Sequence, residues 1–283
     1  MAIFTNYATL SYSGGTANSN TVTGEIRETL VVSKTAVETG YAPAGRITYL
    51  VSMINSGAAP LAGLTVQDNL GGYLSGENTL YPLSYTGGTA RLYQNGVLQE
   101  APAVTAGPPL TFTGISVPAG GSALLVYQAD TTGYAPLSSE SAISNTVTVT
   151  GGGLTAPVTA EASVPAESRA RLAVSKAVEP AIVSENGQLT YTFTIENTGN
   201  LPATAEDAVV LTDTFNPILD PIAVTLNGTS WTEGTNYRYD RTSGLFTTLA
   251  NQLTVPAATF AQNADGIWTM TPGTTVLTVT GTV

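Results

Sequence analysis

Short segments in which apolar and polar residues alternate recur along the whole chain, and most end near glycine, proline or asparagine. A period of two places alternate side chains on one face of a β-strand, and Gly-rich junctions favour turns. No segment has the spacing of an amphipathic helix. The pattern therefore predicts an all-β sandwich. Its predicted strands in the first half are 30–34, 47–53, 64–68, 90–93, 110–115, 123–128 and 143–150.

The pattern then starts again, and the second copy is in register with the first. Several residues recur at one constant offset, which identifies an internal repeat. The matched pairs are Lys34 and Lys176, Tyr49 and Tyr191, Asn55 and Asn197, Gly57 and Gly199, and Pro60 and Pro202. We predict a complete domain over 27–165 and a second domain over 166–283. In the second, strands 209–213 and 276–280 correspond to 64–68 and 124–128.

The first 26 residues resemble the end of the first domain. Residues 3–15 and 142–153 both place an asparagine, Asn6 or Asn145, in an alternating segment that runs into a Gly-rich turn. A second short strand follows in each, with 22–25 matching 158–161. Each is predicted to be a β-hairpin. The hairpin over 1–26 has no domain before it to complete.

The second repeat ends before any equivalent of this closing hairpin. A sandwich without its closing strands exposes unpaired backbone groups and an apolar groove, which favour the addition of a strand. The N-terminal hairpin is the simplest donor. Insertion into the second domain of the same chain is an alternative if the domains lie side by side. Donation to the next identical subunit is head-to-tail, does not close and produces a fibre.

Composition and charge exclude several classes of partner. A net charge of -11 and a pI near 4.2 argue against nucleic acid and anionic membrane surfaces. No apolar run approaches the roughly 20 residues of a membrane span. The chain has no cysteine, so any covalent reinforcement is not a disulfide. Its start lacks the pattern of a secretion signal, so we expect either that a leader has been removed or that the protein reaches its destination without the general secretion route.

The two lysines of the protein lie at equivalent positions, with both side chains expected on the core side of their strands. In the first domain, Asp68 and Asn145 are expected to point inward too. A buried Lys, Asp and Asn can form a Lys-Asn isopeptide bond. Burial favours the neutral amine, which attacks, and the protonated carboxyl, which polarises the amide, and ammonia leaves. Lys34, Asp68 and Asn145 thus form the candidate set for an intramolecular bond.

The second domain has Lys176 and Asp213 but no equivalent asparagine. Asn6 of the next subunit would supply it and make the bond intermolecular. A simple buried ion pair, with the asparagine completing its hydrogen bonds, is the main alternative. A strand register wrong by one residue would place all these groups in solvent. No cofactor and no metal site is predicted, because no dense acidic loop is present. The sequence 227–229 fits either a glycosylation acceptor or an Asn-Gly hairpin turn.

The repeat resembles a bacterial surface repeat called domain-of-unknown-function eleven. The motifs that carry the resemblance are Leu30-x-Val-x-Lys34, 47–49, 55–57 and 66–68, with their second copies Leu172-x-Val-x-Lys176, 189–191, 197–199 and 211–213. The resemblance implies two tandem immunoglobulin-like sandwiches. It also implies an extracellular place on the surface of bacterial cells or on spore appendages.

These observations favour a structural subunit that polymerises with identical subunits into a fibre, which would form a pilus-like appendage. A monomeric adhesin or stalk module is the alternative, although no binding site for a host or surface ligand is evident. An enzyme acting on an external substrate has no histidine, cysteine or convergent polar loops to support it.

Overall fold

A computed structural model describes residues 2–283, which divide into two compact units. Unit 1 comprises the chain up to Ala135 together with Ala142–Pro165, and unit 2 comprises Pro136–Ser141 and Ala166–Val283. Apart from one turn of 3-10 helix at Ala205–Asp207, the regular elements described are β-strands. None of the described segments forms a helix long and apolar enough to cross a membrane.

The strands of unit 1 are β1 (Ala2–Asn6), β2 (Thr9–Tyr12), β3 (Gly15–Asn18), β4 (Val22–Ile26), β5 (Leu30–Ala36), β6 (Arg46–Asn55), β7 (Leu61–Asp68), β8 (Tyr73–Ser75), β9 (Asn78–Leu80), β10 (Leu83–Tyr85), β11 (Arg91–Gln94), β12 (Val97–Leu98), β13 (Ala103–Thr105), β14 (Leu110–Val117), β15 (Ser122–Thr131), β16 (Ala142–Gly151) and β17 (Val158–Pro165).

Two antiparallel sheets form the sandwich of unit 1. One has the order β12-β11-β15-β6-β5, with β10 also on β15, and the other has the order β13-β14-β7-β16-β17. Inward side chains of the two sheets meet at Phe112 and Tyr127, whose ring centroids are 5.0 Å apart. The edge strand β17 lies beside β5, the edge strand of the other sheet. The hairpin of β16 and β17 therefore closes the sandwich on this side.

The N-terminal hairpin consists of β1 paired with β4 and β2 paired with β3. Every side chain from Ile3 to Thr23 is exposed, including Phe4 at 50% and Leu10 at 67%. Both predicted second strands are observed, 22–25 within β4 and 158–161 within β17. Asn6 pairs with Val22, and Asn145 pairs with Ala162.

The strands of unit 2 are β18 (Leu172–Glu179), β19 (Gln188–Asn197), β20 (Thr212–Thr214), β21 (Ile222–Leu226), β22 (Thr229–Trp231), β23 (Tyr237–Asp240), β24 (Leu245–Thr248), β25 (Thr259–Gln262), β26 (Trp268–Thr271) and β27 (Gly273–Thr282).

Unit 2 has one sheet like that of unit 1 and one shorter sheet. The first has the order β18-β19-β27-β21-β22, and the second has the order β20-β24-β23. In unit 1, β7 pairs with β14 on one side and β16 on the other. Its counterpart β20 pairs with β24 alone within the described part of unit 2. The second repeat therefore folds without the two strands that close the first.

The absence of this neighbouring strand also explains why the strand predicted over 209–213 is wrong in its bounds. The pattern predicts a strand over 209–213, but the strand observed is Thr212–Thr214. Residues 209–211 are not assigned to a strand and line an open groove instead. A β-ladder needs a partner strand to define it, and in unit 1 β16 supplies that partner to the equivalent residues of β7.

The hairpin turn at Asn227 and Gly228 forms where the sequence predicts it. Asn227 and Gly228 join β21 to β22 with positive φ values of 48° and 79°, which suit a two-residue hairpin. The Asn227 side chain accepts a hydrogen bond from the Val276 amide, so the hairpin interpretation is confirmed. The predicted all-β fold, with two immunoglobulin-like sandwich units, is confirmed as well.

Candidate functional site

The first candidate site lies in the interior of unit 1, where β5 and β7 face each other. Lys34 Nζ donates to Asp68 Oδ2 at 2.7 Å, and neither side chain has any exposed surface. The Leu70 amide also donates to Asp68, at Oδ1 and 2.7 Å. Both charged side chains point inward, as the alternation of their strands predicts. Removal of one member of such a buried ion pair is costly, because the other charge is then left without a partner.

Asn145 completes the predicted group of three. It is fully buried on β16, two residues from Val147, the cross-strand partner of Asp68. Asn145 and Asp68 are therefore diagonal neighbours on one face of the sheet. Neither Oδ1 nor Nδ2 of Asn145 has a hydrogen-bond partner among the described residues. Buried amides are nearly always hydrogen-bonded, and an unsatisfied one costs about 1–3 kcal/mol, so this amide requires an explanation.

Two tyrosines surround the three residues. Tyr127 donates its hydroxyl hydrogen to Asp68 Oδ2. The ring centroid of Tyr49 lies 4.6 Å from Lys34 Nζ and 5.7 Å from the Tyr127 ring. Burial raises the pKa of both phenols, and the nearby Asn145 amide opposes that rise without forming a hydrogen bond of ordinary geometry. Tyr49 thus lies beside Lys34, Tyr127 contacts Asp68, and both tyrosines lie near Asn145.

The electrostatics of this interior favour a reactive lysine. Burial lowers the pKa of Lys34 from its ordinary value of 10.5 to about 8, although Asp68 acts in the opposite direction. An amine with a pKa near 8 is neutral often enough at neutral pH to act as a nucleophile. The electrophile predicted at this site is the side-chain amide carbon of Asn145. The arrangement is chemically suited to an acyl transfer from Asn145 to Lys34.

Unit 2 contains the same ion pair in an open setting. Lys176 Nζ donates to Asp213 Oδ2, but the two side chains are 39% and 20% exposed. The ring of Tyr191, the counterpart of Tyr49, lies 4.3 Å from Lys176 Nζ. No strand equivalent to β16 is present in the described part of unit 2, so no asparagine occupies the position of Asn145.

A groove runs along this open side of unit 2, between β18 and the segment 209–213. Its two adjoining parts have volumes of about 320 and 200 Å³. Apolar side chains dominate the walls, and several are exposed, such as Leu172 at 40%, Val174 at 61% and Val210 at 47%. The counterpart of Leu172 in unit 1, Leu30, is only 5% exposed. The groove lies where β16 and β17 lie in unit 1.

Asn6 lies on β1 of the N-terminal hairpin and its side chain is exposed. The side chain of Asn6 was expected to point inward, but within the single chain it is exposed to solvent instead. The structure brings Lys34, Asp68 and Asn145 together, and separately Lys176 and Asp213. It leaves Asn6 in solvent.

One residue of the interior site escaped the sequence reading. Tyr127 holds Asp68, and its position in the alternation of β15 was the available signal. The pairing of β15 with β6 places Tyr127 opposite Tyr49, and that of β27 with β19 places Val279 opposite Tyr191. Unit 2 therefore has a valine where unit 1 has the hydroxyl donor.

No family model matches this chain and no curated protein matches it. Among solved structures, the pilus backbone protein RrgB of Streptococcus pneumoniae covers 84% of this chain at 11% identity, with a TM-score of 0.35. The major pilin subunit BcpA of Bacillus cereus covers 96% at 13% identity, with a TM-score of 0.36. This chain spans 53% of the RrgB chain and 73% of the BcpA chain. These likenesses concern the arrangement of strands and extend to nothing else.

Proposed function

We propose that this protein is the structural subunit of a bacterial surface or spore fibre. Each subunit donates its N-terminal hairpin to unit 2 of the next identical subunit, and Lys-Asn isopeptide bonds lock the assembly. The observation that carries the proposal is the groove of unit 2, which lies where the hairpin of β16 and β17 closes unit 1. The extracellular location follows from the family resemblance and is part of the same proposal.

The exposed hairpin has the side chains that such a groove requires. When the two sequences are aligned at Asn6 and Asn145, Phe4 corresponds to Ile143 and Leu10 corresponds to Val149. Those two residues of unit 1 are 1% and 0% exposed, whereas Phe4 and Leu10 are half or more exposed. Burial of two large apolar side chains is worth about 1.5–3 kcal/mol each. Insertion of the hairpin would also give β20 the partner strand that β7 has in unit 1.

The chemistry proposed for unit 1 is balanced without any other reactant. The neutral Lys34 amine attacks Cγ of Asn145, a new Nζ–Cγ amide bond forms, the Cγ–Nδ2 bond breaks and ammonia leaves. Asp68 carries the proton between the two nitrogens. The unsatisfied amide of Asn145 supports this proposal, since in the bonded product its partnerless Nδ2 group has left as ammonia and is replaced by Nζ of Lys34. In unit 2, Lys176 and Asp213 would act in the same way on Asn6 of the donor.

A boiled sample on a denaturing gel, followed by peptide mass spectrometry, tests the assembly. We expect a ladder of bands and a peptide pair joined through Lys176 and Asn6 that is lighter by one ammonia. Asn6→Ala should remove the ladder and leave fibres visible by electron microscopy of the unboiled sample. Asn20→Ala, an exposed position on the same hairpin, is the matched control and should keep the ladder.

Deletion of residues 1–26 separates the fibre from the other assemblies. The truncated protein should be monomeric and should bind added hairpin peptide. A wild-type protein that stays monomeric at all concentrations, without the joined peptide, would contradict the fibre and favour the adhesin or stalk module. Self-closure would give the joined peptide within one chain. A mixture of isotopically light and heavy subunits distinguishes it, because only intermolecular donation produces mixed pairs.

A further inference from the structure

The two lysine–carboxylate pairs are equivalent in sequence but differ in their contact with water. Lys34 and Asp68 are completely buried, whereas the side chains of Lys176 and Asp213 are 39% and 20% exposed. Water stabilises both charges of an exposed pair, and burial removes that stabilisation. The pair in the open groove therefore keeps the contact with water that the buried pair of unit 1 lacks.

Aromatic rings strengthen the charged form of Lys176 in the open groove. Its Nζ atom lies 4.3 Å from the centroid of Tyr191, 5.4 Å from that of Phe193 and 5.5 Å from that of Phe215. Ring faces attract a cation within about 6 Å. Lys34 has one such ring, that of Tyr49 at 4.6 Å. The rings of the open groove therefore add to the attraction between this site and a charged Lys176 side chain.

Asp213 has fewer hydrogen-bond donors than Asp68. In unit 1, the Tyr127 hydroxyl and the Leu70 amide both donate to the carboxylate. In unit 2, Asp213 accepts a hydrogen bond from the Thr214 amide at 2.9 Å, and Val279 stands at the position of Tyr127. Donors to a carboxylate favour its charged form. Once water is excluded, Asp213 therefore has fewer of these stabilising donors around it than Asp68.

We propose that hairpin insertion is the trigger of the intermolecular reaction, because it excludes water from the Lys176–Asp213 pair and moves the proton from Lys176 Nζ to the Asp213 carboxylate. This inference rests on the proposed function and adds its control. In the open groove the pair is charged and unreactive. In the filled groove it becomes a neutral amine beside a neutral acid, next to the Asn6 amide of the donor.

The steps balance in protons and bonds. Lys176 Nζ gives one proton to Asp213 and then attacks Cγ of Asn6. The Nζ–Cγ bond forms, the Cγ–Nδ2 bond breaks, and Nδ2 leaves as ammonia with a second proton from Nζ. Asp213 then returns its proton to ammonia, which departs as ammonium. The net change is one ammonium released for one lysine ammonium consumed. Unit 1 needs no such trigger, because its own β16 and β17 keep the pair dry.

A difference infrared measurement on three full-length variants tests the trigger. Asn6→Ala should insert without reacting, Asn6→Ala with Leu10→Asp should remain a monomer, and Asn6→Ala with Asp213→Asn identifies the carboxyl. All hairpin changes are at exposed positions, so the units keep their fold. We expect the Asn6→Ala fibres to show a protonated-acid carbonyl band equivalent to one carboxyl per subunit. The monomer and the Asp213→Asn fibres should lack it.

Four outcomes are distinguishable. The band in fibres alone, lost with Asp213→Asn, supports the trigger. Fibres without the band overturn the trigger and leave the fibre proposal intact, as does a band of equal intensity in the monomer. Absence of Asn6→Ala fibres under conditions where the wild-type ladder also fails to form overturns both.

Discussion

Lys34 Nζ lies 2.7 Å from Asp68 Oδ2, with both side chains fully buried between the two sheets of unit 1. Removal of one partner leaves the other charge in an apolar interior, which costs about 3–5 kcal/mol. We expect Asp68→Ala to abolish the intramolecular bond and to lower the free energy of unfolding by at least this amount, because the stabilisation from the cross-link is lost as well. Urea unfolding measures the first effect, and an intact mass heavier by one ammonia, after correction for the substitution, reveals the second. Asp130→Ala, a surface ion-pair change, is the control and should cost about 1 kcal/mol or less.

Asn145→Ala distinguishes a covalent bond from a simple ion pair. A cross-link between residues 34 and 145 closes a long loop, and for a disulfide that closes about 100 residues the expected stabilisation is about 4–5 kcal/mol. We expect a loss of this order in guanidinium unfolding of the monomeric Leu10→Asp background. The double variant with Lys34→Met should be about as stable as Lys34→Met alone, because either change removes the same bond, whereas Lys34→Met also leaves Asp68 buried without its partner. If no bond exists, removal of an amide without partners should cost little or even stabilise the protein.

The same variant makes stability depend on pH. Without the bond, Lys34 keeps a titratable amine, and the pKa of this amine in the folded protein is about 8, compared with its ordinary value of 10.5. Between these values the unfolded chain binds more protons than the folded one, so stability rises with pH. Each pKa unit corresponds to about 1.4 kcal/mol, so the rise from pH 7 to pH 10.5 should be about 3 kcal/mol. Urea midpoints across this range measure it, and Lys34→Met should flatten the profile.

Much of the fold could be predicted from alternation and repetition, because both are local properties of the sequence. The strands around Lys34, Tyr49 and Asp68 lie where they were predicted, and so does the turn at Asn227. The inward direction of Lys34, Asp68 and Asn145 followed from the same alternation. That Lys176 is partly exposed did not, because its exposure depends on strands that the unit lacks rather than on its own neighbours in sequence.

Two features could be recognised only from the three-dimensional structure. The loss of strand structure at 209–211 depends on a missing partner, which propensity within the segment does not report. The part played by Tyr127 depends on β15 lying opposite β7 across the core, and its residue type alone gave no reason to select it. The bonds themselves, the register of a donated hairpin and the domain borders over 1–26, 27–165 and 166–283 stay predictions.

Assembly should depend on one face of the hairpin. Leu10 shares the predicted inward face with Phe4 and Asn6, while Thr5 and Thr9 are on the other face. We expect Leu10→Asp to abolish fibres, because a carboxylate would be buried without a partner, and to leave unfolding of unit 1 unchanged. Thr9→Asp is the matched control and should still assemble. Electron microscopy and sedimentation measure the result, and equal assembly of both variants would refute the assignment of faces.

Asn197 provides a test of unit 2 that is independent of any fibre. Its amide donates to Leu201 and Pro256 carbonyls at 2.8 and 3.0 Å and accepts from the Arg171 and Gly199 amides, both at 2.9 Å. Asn197→Ala leaves these buried backbone groups unsatisfied, at about 1–3 kcal/mol for each that water cannot reach.

We expect the transition of unit 2 to move to clearly lower temperature in calorimetry while that of unit 1 is unchanged. Thr198→Ala, at the exposed neighbour, should have little effect. A large shift in the control would show that the loop, rather than the Asn197 amide, determines stability.

The place of Lys34 near the start of unit 1, and of Asn145 near its end, has a mechanical consequence for a fibre of the proposed kind. Tension would enter a subunit at Asn6, follow the backbone to Lys34, cross the side-chain bond to Asn145 and leave through Lys176. Residues 35–144 and 177–283 would carry no load. A stretched filament would then have few residues to unravel, and in single-molecule pulling it should behave as a nearly inextensible cable whose slack, in the Asn145→Ala variant, grows by the length of the released segment.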